Sequence, residues 1–226
     1  MSMIPEPEDA AGSSLDDKFP SLFRQHAELK DYLPETELFR QGRLISAIWL
    51  IERGIVKFTR THSQGREMIV ALRLPGKLLG AASVISHSPS AVTAATLTEC
   101  RLYHLSAEVF LNLVETNTEF ARYLLRTISR QFYEQSANLA RLGTSPALAR
   151  VAHLLLQLVP ESAYKQGGEI RLELPAKHAV LAKTLAIRHE YFSRLLGKLN
   201  KMGIIRSSKG WIYVRDLKRL AQQAEE

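Results

Sequence analysis

Leu181-Ala182-Lys183-Thr184-Leu185-Ala186-Ile187-Arg188-His189-Glu190-Tyr191-Phe192-Ser193-Arg194-Leu195-Leu196, continued by Lys198-Leu199-Asn200-Lys201-Met202-Gly203-Ile204-Ile205, has the pattern of a helix-turn-helix running into a wing. From Arg188 onward Phe192, Leu195, Leu196 and Leu199 stand at i, i+3, i+4 and i+7, the spacing of one buried stripe on a helix. The opposite face carries Glu190, Ser193, Arg194, Gly197, Lys198 and Lys201. An acceptor, a hydroxyl and a guanidinium fork near the helix start, with cations behind them, suit base edges and phosphates in a major groove. The expected partner is double-stranded DNA.

Working outward from this stretch, Ile204-Ile205-Arg206 and Trp211-Ile212-Tyr213-Val214 flank Ser207-Ser208-Lys209-Gly210, a hairpin with a cationic tip, before Asp216 caps a last short helix. Upstream, Gly167-Gly168 opens an alternating strand over 169–174, and Pro175 is expected to start the first helix of the motif. The helix over 147–159 carries Leu148, Val151, Leu154, Leu155 and Leu158 on one stripe, with Ser145 as its expected N-cap and Pro146 at its first position. Thr144-Ser145-Pro146 is then a hinge. Before it, Phe120, Leu124, Ile128, Phe132, Gln135, Leu139 and Leu142 step by three or four, which predicts one long helix over 118–143. A single small barrel rarely offers a face ~30 Å long, so the stripe is expected to form a parallel seam between two copies. Packing on the chain's own barrel is the alternative.

Residues 38–105 break into β-type runs, Ile48–Ile51, Ile55–Thr59, Met68–Leu72 and Arg101–Leu105, punctuated by Gly42, Gly54, Gly65, Gly76 and Gly80. Turns at such intervals predict a small barrel or sandwich. The 226 residues, 46% hydrophobic, are therefore divided into an acidic disordered tail (1–14), a β-barrel domain (15–117), a dimerisation helix (118–143) and a winged helix-turn-helix (144–226), an α+β organisation. Charge follows that division. From Arg141 onward there are 15 basic and 7 acidic residues, +8, within a whole-chain net of +7. A basic C-terminal module fits nucleic acid. Cys100 is the only cysteine, which excludes an internal disulfide and leaves a cysteine-held cluster or zinc site without ligands. Neither an apolar leader nor a membrane-length apolar run occurs, so no membrane partner and a cytoplasmic location are expected.

The order of parts resembles the Crp/Fnr family of bacterial transcription regulators over roughly residues 20–220. The motifs that carry the likeness are Phe39-Arg40-Gln41-Gly42, Leu50-Ile51-Glu52-Arg53-Gly54-Ile55-Val56, Gly65-Arg66-Glu67-Met68-Ile69-Val70, Pro75-Gly76-Lys77-Leu78-Leu79-Gly80, and the helix-turn-helix itself. The resemblance implies a double-stranded β-helix, jelly-roll-like sensor barrel, homodimerisation, a two-fold symmetric operator, and RNA polymerase as a further partner. It also implies base reading by Glu190, Ser193 and Arg194, which match the family's Glu, two residues, Ser or Gly, then Arg. An arginine bonds bidentately to guanine while a glutamate one turn earlier accepts from a cytosine amine; a Glu190–Arg194 ion pair at i, i+4 is the alternative use of the same residues. His189 stands where relatives reading a TGTGA-type half-site have Arg, and Ser193 resembles the branch associated with TTGA-type half-sites. Ala186 replaces a frequent turn glycine, and since a left-handed alanine costs on the order of 1 to 2 kcal/mol, an adjusted turn is expected. Lys177, His178, Arg188, Lys198, Lys201 and Lys209 are expected at phosphates, or else to keep the face soluble.

In cyclic-nucleotide-binding relatives a Glu after the Gly80-type glycine holds ribose hydroxyls and an Arg pairs with the cyclic phosphate. Here those positions read Ala81 and Ser90. A phosphate brought into the barrel without its guanidinium fork is poorly compensated, so no response to cyclic AMP is expected. Gly80, Ala81, Ala82, Ser90 and Ala91, with Gln135 and Ser136 from the long helix, are the candidate effector pocket, with room for a weakly polar effector of unknown identity, or for none, as in a constitutive binder. No cofactor is expected. Haem with His62, His87, His104 or Cys100 as axial ligand is an alternative. A cupin-like metalloenzyme would need clustered histidines, whereas His26, His62, His87, His104, His153, His178 and His189 are scattered singly. No catalytic or metal residues are therefore assigned. A winged helix that binds protein or RNA is the remaining rival, and the Glu190, Ser193, Arg194 set argues against it.

Overall fold

Short apolar runs between left-handed glycines give antiparallel strands, and runs with a period of three to four give helices. The structure, a computed structural model, describes residues 18–62, 65, 67–159, 163, 168–174, 176–208 and 211–225. The expected acidic tail (1–14) and Lys209, with Arg66, Gly167 and Pro175, lie outside them. Helix α1 (Lys18–His26) is followed by strands β1 (Glu28–Tyr32), β2 (Glu37–Phe39), β3 (Ala47–Arg53), β4 (Val56–Thr61), β5 (Glu67–Arg73) and β6 (Leu78–Leu79). Then come helix α2 (Ala81–Ile85), strands β7 (Thr93–Thr96) and β8 (Cys100–Ser106), and helices α3 (Ala107–Thr116) and α4 (Thr118–Thr144). The strands form two four-stranded sheets ordered β1-β8-β3-β6 and β2-β7-β4-β5, a jelly-roll-like arrangement. Strands β3, β4, β5 and β8 coincide with the runs read in the sequence. The polar β1 and the brief β2, β6 and β7 carry no such run.

The chain divides into two compact units, residues up to Val56 with Arg73–Phe132, and Lys57–Leu72 with Tyr133 onward. In the first, Phe23, Ile48, Leu50, Leu105, Phe110, Leu113, Phe120 and Leu124 form one core between sheet and helices. The Phe110 and Phe120 rings meet edge to face at 5.9 Å. Ser106 caps α3 by accepting from Val109 N, and Asn117 caps α4 by accepting from Phe120 N at 2.9 Å.

The stripe expected along α4 divides in the structure. Phe120 and Leu124 are buried, whereas Phe132 and Leu139 are each 72% exposed; Leu125, which the stripe did not include, is 67% exposed and continues their seven-residue spacing. No helix among the described residues is long and apolar enough to cross a membrane.

After α4 only Ser145 and Pro146 intervene before α5 (Ala147–Gln157). The expected Ser145 cap is corrected: Pro146, with an extended ψ of 150°, is the N-cap residue, so the helix starts one residue later and lacks a side-chain cap. Ser145 instead offers its carbonyl to Arg150 Nη1 at 2.7 Å. Strand β9 (Ile170–Glu173), helices α6 (His178–Thr184) and α7 (His189–Lys201), strands β10 (Ile205–Ser208) and β11 (Trp211–Val214), and helix α8 (Leu217–Glu225) complete the chain. The first helix of the motif thus begins at His178, three residues after the expected Pro175. Asp216 caps α8 as expected, accepting from Arg219 N at 2.9 Å. The wing has three strands, ordered β10-β11-β9, because β9 pairs antiparallel with β11. Val151, Leu155, Leu172, Leu181, Phe192, Leu199, Ile204, Ile212 and Leu220 fill the core beneath it.

Candidate nucleic-acid interface

Helix α7 is held by the stripe its sequence prescribes. Phe192, Leu195, Leu196 and Leu199 are all at least 95% buried, while His189, Glu190, Ser193, Arg194, Lys198 and Lys201 are exposed. Burying four large apolar side chains, each contributing about 1.5 to 3 kcal/mol, fixes the rotation of the helix and hence which residues face outward. Its N-cap residue is Arg188, whose side chain makes no capping hydrogen bond, so the first-turn N–H groups stay available to an anion.

The turn between α6 and α7 overturns the expectation of an adjusted conformation. Ala186 has φ 52°, in the left-handed region. Ile187 N donates to Ala182 O at 3.0 Å and Ala186 N to Lys183 O at 3.2 Å, the two bonds of a Schellman ending, and Ile187 packs on the core beneath. These bonds and that contact hold the alanine where glycine is the easier residue. The end of α7 uses the same ending with glycine: Gly203 has φ 74°, and Ile204 N donates to Leu199 O at 3.1 Å.

On the outer face, Glu190 does not spend its carboxylate on Arg194. Among the described residues no ion pair joins them; Glu190 Oε1 lies 3.3 Å from His189 Nε2, and the Arg194 guanidinium sits 5.3 Å from the Tyr191 ring centroid. Arg194 therefore keeps its fork of donors, with an aromatic surface to lean on. Ser193 Oγ is 3.0 Å from His178 Nδ1. That bond, between helices and fifteen residues apart in sequence, went unforeseen. Lys177, the N-cap residue of α6, is exposed, as is Arg188, and Lys198 and Lys201 lie in the last turn of α7, where cations also complement the helix dipole. The wing's own arginines are engaged. Glu169 takes a bidentate pair from Arg206 (3.2 and 2.8 Å) and a bond from Arg215 (3.2 Å), while Arg171 stacks 3.4 Å from the Trp211 ring centroid. The Arg206 hydrogen bonds, chiefly, hold the Glu169 carboxyl below its ordinary range. The alternation of 169–173 announced a strand, but nothing in it announced this clamp.

In the β-roll, Gly80 leads into α2 with φ 88°, a conformation that side chains rarely adopt, and a Cβ there would make a tight 3.1 Å contact with Ala47 O. Ala81 is buried in the roll's core, while Ala82 and Ala91 are exposed. Ser90, 4% exposed, donates its hydroxyl to Val92 O at 2.7 Å, and its N–H bonds to Arg43 O. Gln135 and Ser136 are exposed on α4. A cleft of about 420 Å³ opens elsewhere on this unit, lined by Asp31, Tyr32, Leu33, Arg53, Glu99, Cys100 and Arg101, none of them foreseen. Its Arg101 is bound bidentately to Asp31 at 2.9 and 3.2 Å.

Of the residues considered for haem, His62 and His87 are exposed and His104 packs edge-on against Trp49. The Cys100 thiol donates to Ile55 O at 3.3 Å, and burial pushes its pKa up, which favours the thiol over the ligating thiolate. Among the described residues no three of His, Cys, Asp and Glu gather as a metal set.

Residues 29–117 match the family described as the cyclic nucleotide-binding domain, and residues 149–223 match the Crp-like helix-turn-helix domain. The Cyclic AMP receptor protein of Thermus thermophilus is similar to this chain at 30% identity over 187 residues, 83% of each protein. A CRP-like cAMP-activated global transcriptional regulator of Mycobacterium tuberculosis is 26% identical, over 83% of this chain and 84% of that protein. Among solved structures, FixK2 from Bradyrhizobium japonicum shares the fold with a TM-score of 0.75 at 23% identity, covering 87% of this chain and 96% of that one.

Proposed function

The chain belongs to the Crp/Fnr family of bacterial transcription regulators, and from that premise we propose that it reads a two-fold symmetric operator as a homodimer, gated by an effector other than cyclic AMP. Its role is that of a DNA-binding regulator and not of an enzyme, as for its relatives. The observation that carries the reading is the outer face of α7, where Glu190, Ser193 and Arg194 stand exposed over a fully buried stripe. Arg194 is assigned to a guanine, Glu190 to an amine on the opposite strand, and Ser193 to the base between them. Lys177, Arg188, Lys198 and Lys201 are assigned to phosphates.

Dimerisation is supported by Leu125, Phe132 and Leu139, apolar at heptad spacing and exposed on α4. Gln135 falls on the same seam, so its assignment to the effector pocket is retained only as a contribution from the dimer interface. An effector other than cyclic AMP is supported by Ala81 and Ser90, which supply neither a carboxylate for ribose nor a guanidinium for phosphate, although the names of both relatives refer to cyclic AMP. Ser90's hydroxyl and N–H are already bonded within the roll, and this favours a second reading, a constitutive binder. RNA polymerase is the further partner proposed.

Selection of random duplexes by the full chain tests the reading. Two inverted half-sites with centres about one helical turn apart are expected. Enrichment of no sequence, or of a single unpaired site, counts against it. Operator affinity that is the same in every ligand state would favour the constitutive binder.

A further inference from the structure

His178 occupies the first turn of α6, and its ring packs edge-on against Phe192 with centroids 5.3 Å apart. Phe192 is fully buried, so the imidazole rests on a core residue of the very helix whose outer face it serves. One ring nitrogen, Nδ1, is 3.0 Å from Ser193 Oγ, and both side chains are exposed. The other nitrogen, Nε2, has no partner among the described residues.

A neutral imidazole has one donor and one acceptor nitrogen, and what binds one nitrogen decides the role of the other. A serine hydroxyl alone is ambiguous toward bases, since it donates or accepts. If Nε2–H donates to a phosphate, Nδ1 must accept. The Ser193 proton is then directed at Nδ1, and only the oxygen lone pairs are left for the groove.

We infer that His178 is a positioning residue for operator discrimination, holding Ser193 as a hydrogen-bond acceptor so that one half-site position is selected for an exocyclic amine, adenine N6 or cytosine N4. This rests on the reading of α7 as the base-reading helix. It goes further in assigning a polarity to Ser193 and a dual role to His178, whose Nε2 binds phosphate while Nδ1 sets the serine.

The test uses full-length protein and a set of duplexes varied at every half-site position, with a second set in which single phosphates are replaced by uncharged methylphosphonates. The wild type is expected to prefer the amine-bearing bases at one position by about 2- to 10-fold, the range of a single net hydrogen bond. Ser193→Ala removes that preference and leaves the guanine preference attributed to Arg194. Two conservative replacements then separate the roles of the ring. His178→Asn places an amide where Nδ1 was, so the preference is partly kept, while the affinity lost on replacing the contacted phosphate by a methylphosphonate is no longer seen. His178→Gln reaches the Nε2 position, so that methylphosphonate penalty is kept and the preference flattens. A merely structural histidine would lower affinity alike at all positions and leave every methylphosphonate penalty unchanged, a result that overturns the inference. So does a Ser193-dependent preference that survives replacing the amine-bearing base of that pair by an analogue without its exocyclic amine, or a preference lost in Ser193→Ala but untouched in His178→Gln. If Ser193→Ala changes no position at all, it is the base-reading role of Ser193 that fails.

Discussion

At Ala186 the backbone adopts a conformation its side chain disfavours, and the flanking hydrogen bonds of the turn hold it there. The left-handed region costs alanine on the order of 1 to 2 kcal/mol, and glycine's greater freedom in the unfolded chain returns part of any gain. Ala186→Gly is therefore expected to stabilise the protein by about 0.5 to 1 kcal/mol, read as a higher urea midpoint with unchanged slope; a lower midpoint contradicts the strain. Arg194 makes the opposite kind of residue-level statement, since it is exposed and its loss leaves the core alone. Arg194→Ala should cost about 1 to 3 kcal/mol of discrimination at a single operator position while thermal stability stays as it was. His104 carries a pH dependence. Burial is the main cause lowering its pKa from the usual 6.5, Lys30 adds to it, and Glu28 opposes. A folded pKa below the unfolded one means that the neutral ring's contribution is complete above about pH 6.5 and is lost as pH falls through the folded value. His153 shifts in the same direction, from burial and then Arg141. Between pH 7.5 and 5.5 the unfolding midpoint should drop, and drop less in His104→Gln; equal drops would remove His104 from the account. The exposed face of α7 was legible residue by residue because helical periodicity alone sorts Phe192 from Ser193. The His178–Ser193 bond was not, because it depends on how two helices cross, which no local spacing encodes.

Among the elements, α4 shows most clearly what periodicity can and cannot tell. Its length was readable to within one residue, yet the single stripe read along it proved to be two surfaces. Phe120 and Leu124 go into the first unit's own core, while Phe132 and Leu139 remain outside, joined by Leu125, which the stripe did not include. A step of three or four residues does not say which partner covers each step, and here the nearby Phe110 covers Phe120. The same limit explains the wing. Strands β10 and β11 were apparent from their turn, but β9 joins β11 across more than thirty residues, with Tyr213 opposite Arg171, a pairing the alternation of β9 cannot specify. In the roll, β1 was missed because Glu28-Leu29-Lys30-Asp31-Tyr32 is polar on both faces and is recruited by its register with β8, Glu28 opposite His104 through Tyr32 opposite Cys100. The exposed part of α4 makes a definite prediction. If two copies meet along it, each Phe132 side chain buried contributes about 1.5 to 3 kcal/mol, and the two-fold axis doubles it. Phe132→Ala should therefore weaken self-association by about 3 to 6 kcal/mol, observable by sedimentation, with operator binding lost in parallel at low protein concentration. Unchanged self-association would move the seam elsewhere.

For the molecule as a whole, the distribution of charge and the chemistry of the roll make separate demands. Residues from Arg141 onward carry +8 while the rest carries about −1, so the attraction to DNA is concentrated in the unit that bears α7. Arg171, Arg206 and Arg215 are stacked on aromatics or bound to Glu169, which leaves Lys177, Arg188, Lys198 and Lys201 as the cations proposed for phosphate. Regulation requires a ligand of the roll and the operator to bias one equilibrium, and such a coupling, where it exists, is commonly about 1 to 3 kcal/mol and reciprocal. On the proposed reading, cyclic AMP is not the ligand that supplies it. Ala81 brings no acceptor for ribose hydroxyls, and Ser90, turned inward to Val92 O, brings no positive charge for the cyclic phosphate. An anion taken out of water without a charged partner gives up more than neutral hydrogen bonds restore. Titrating cyclic AMP into the full chain should thus give no saturable heat at micromolar concentration, and operator affinity measured with and without the nucleotide should be equal. Micromolar binding accompanied by tighter operator binding would overturn this, and reciprocity then requires that operator DNA tighten cyclic AMP binding by the same factor. A double substitution, Ala81→Glu with Ser90→Arg, supplies the two missing groups; if their absence is what keeps cyclic AMP from binding, the variant gains cyclic AMP binding that neither single substitution reaches alone.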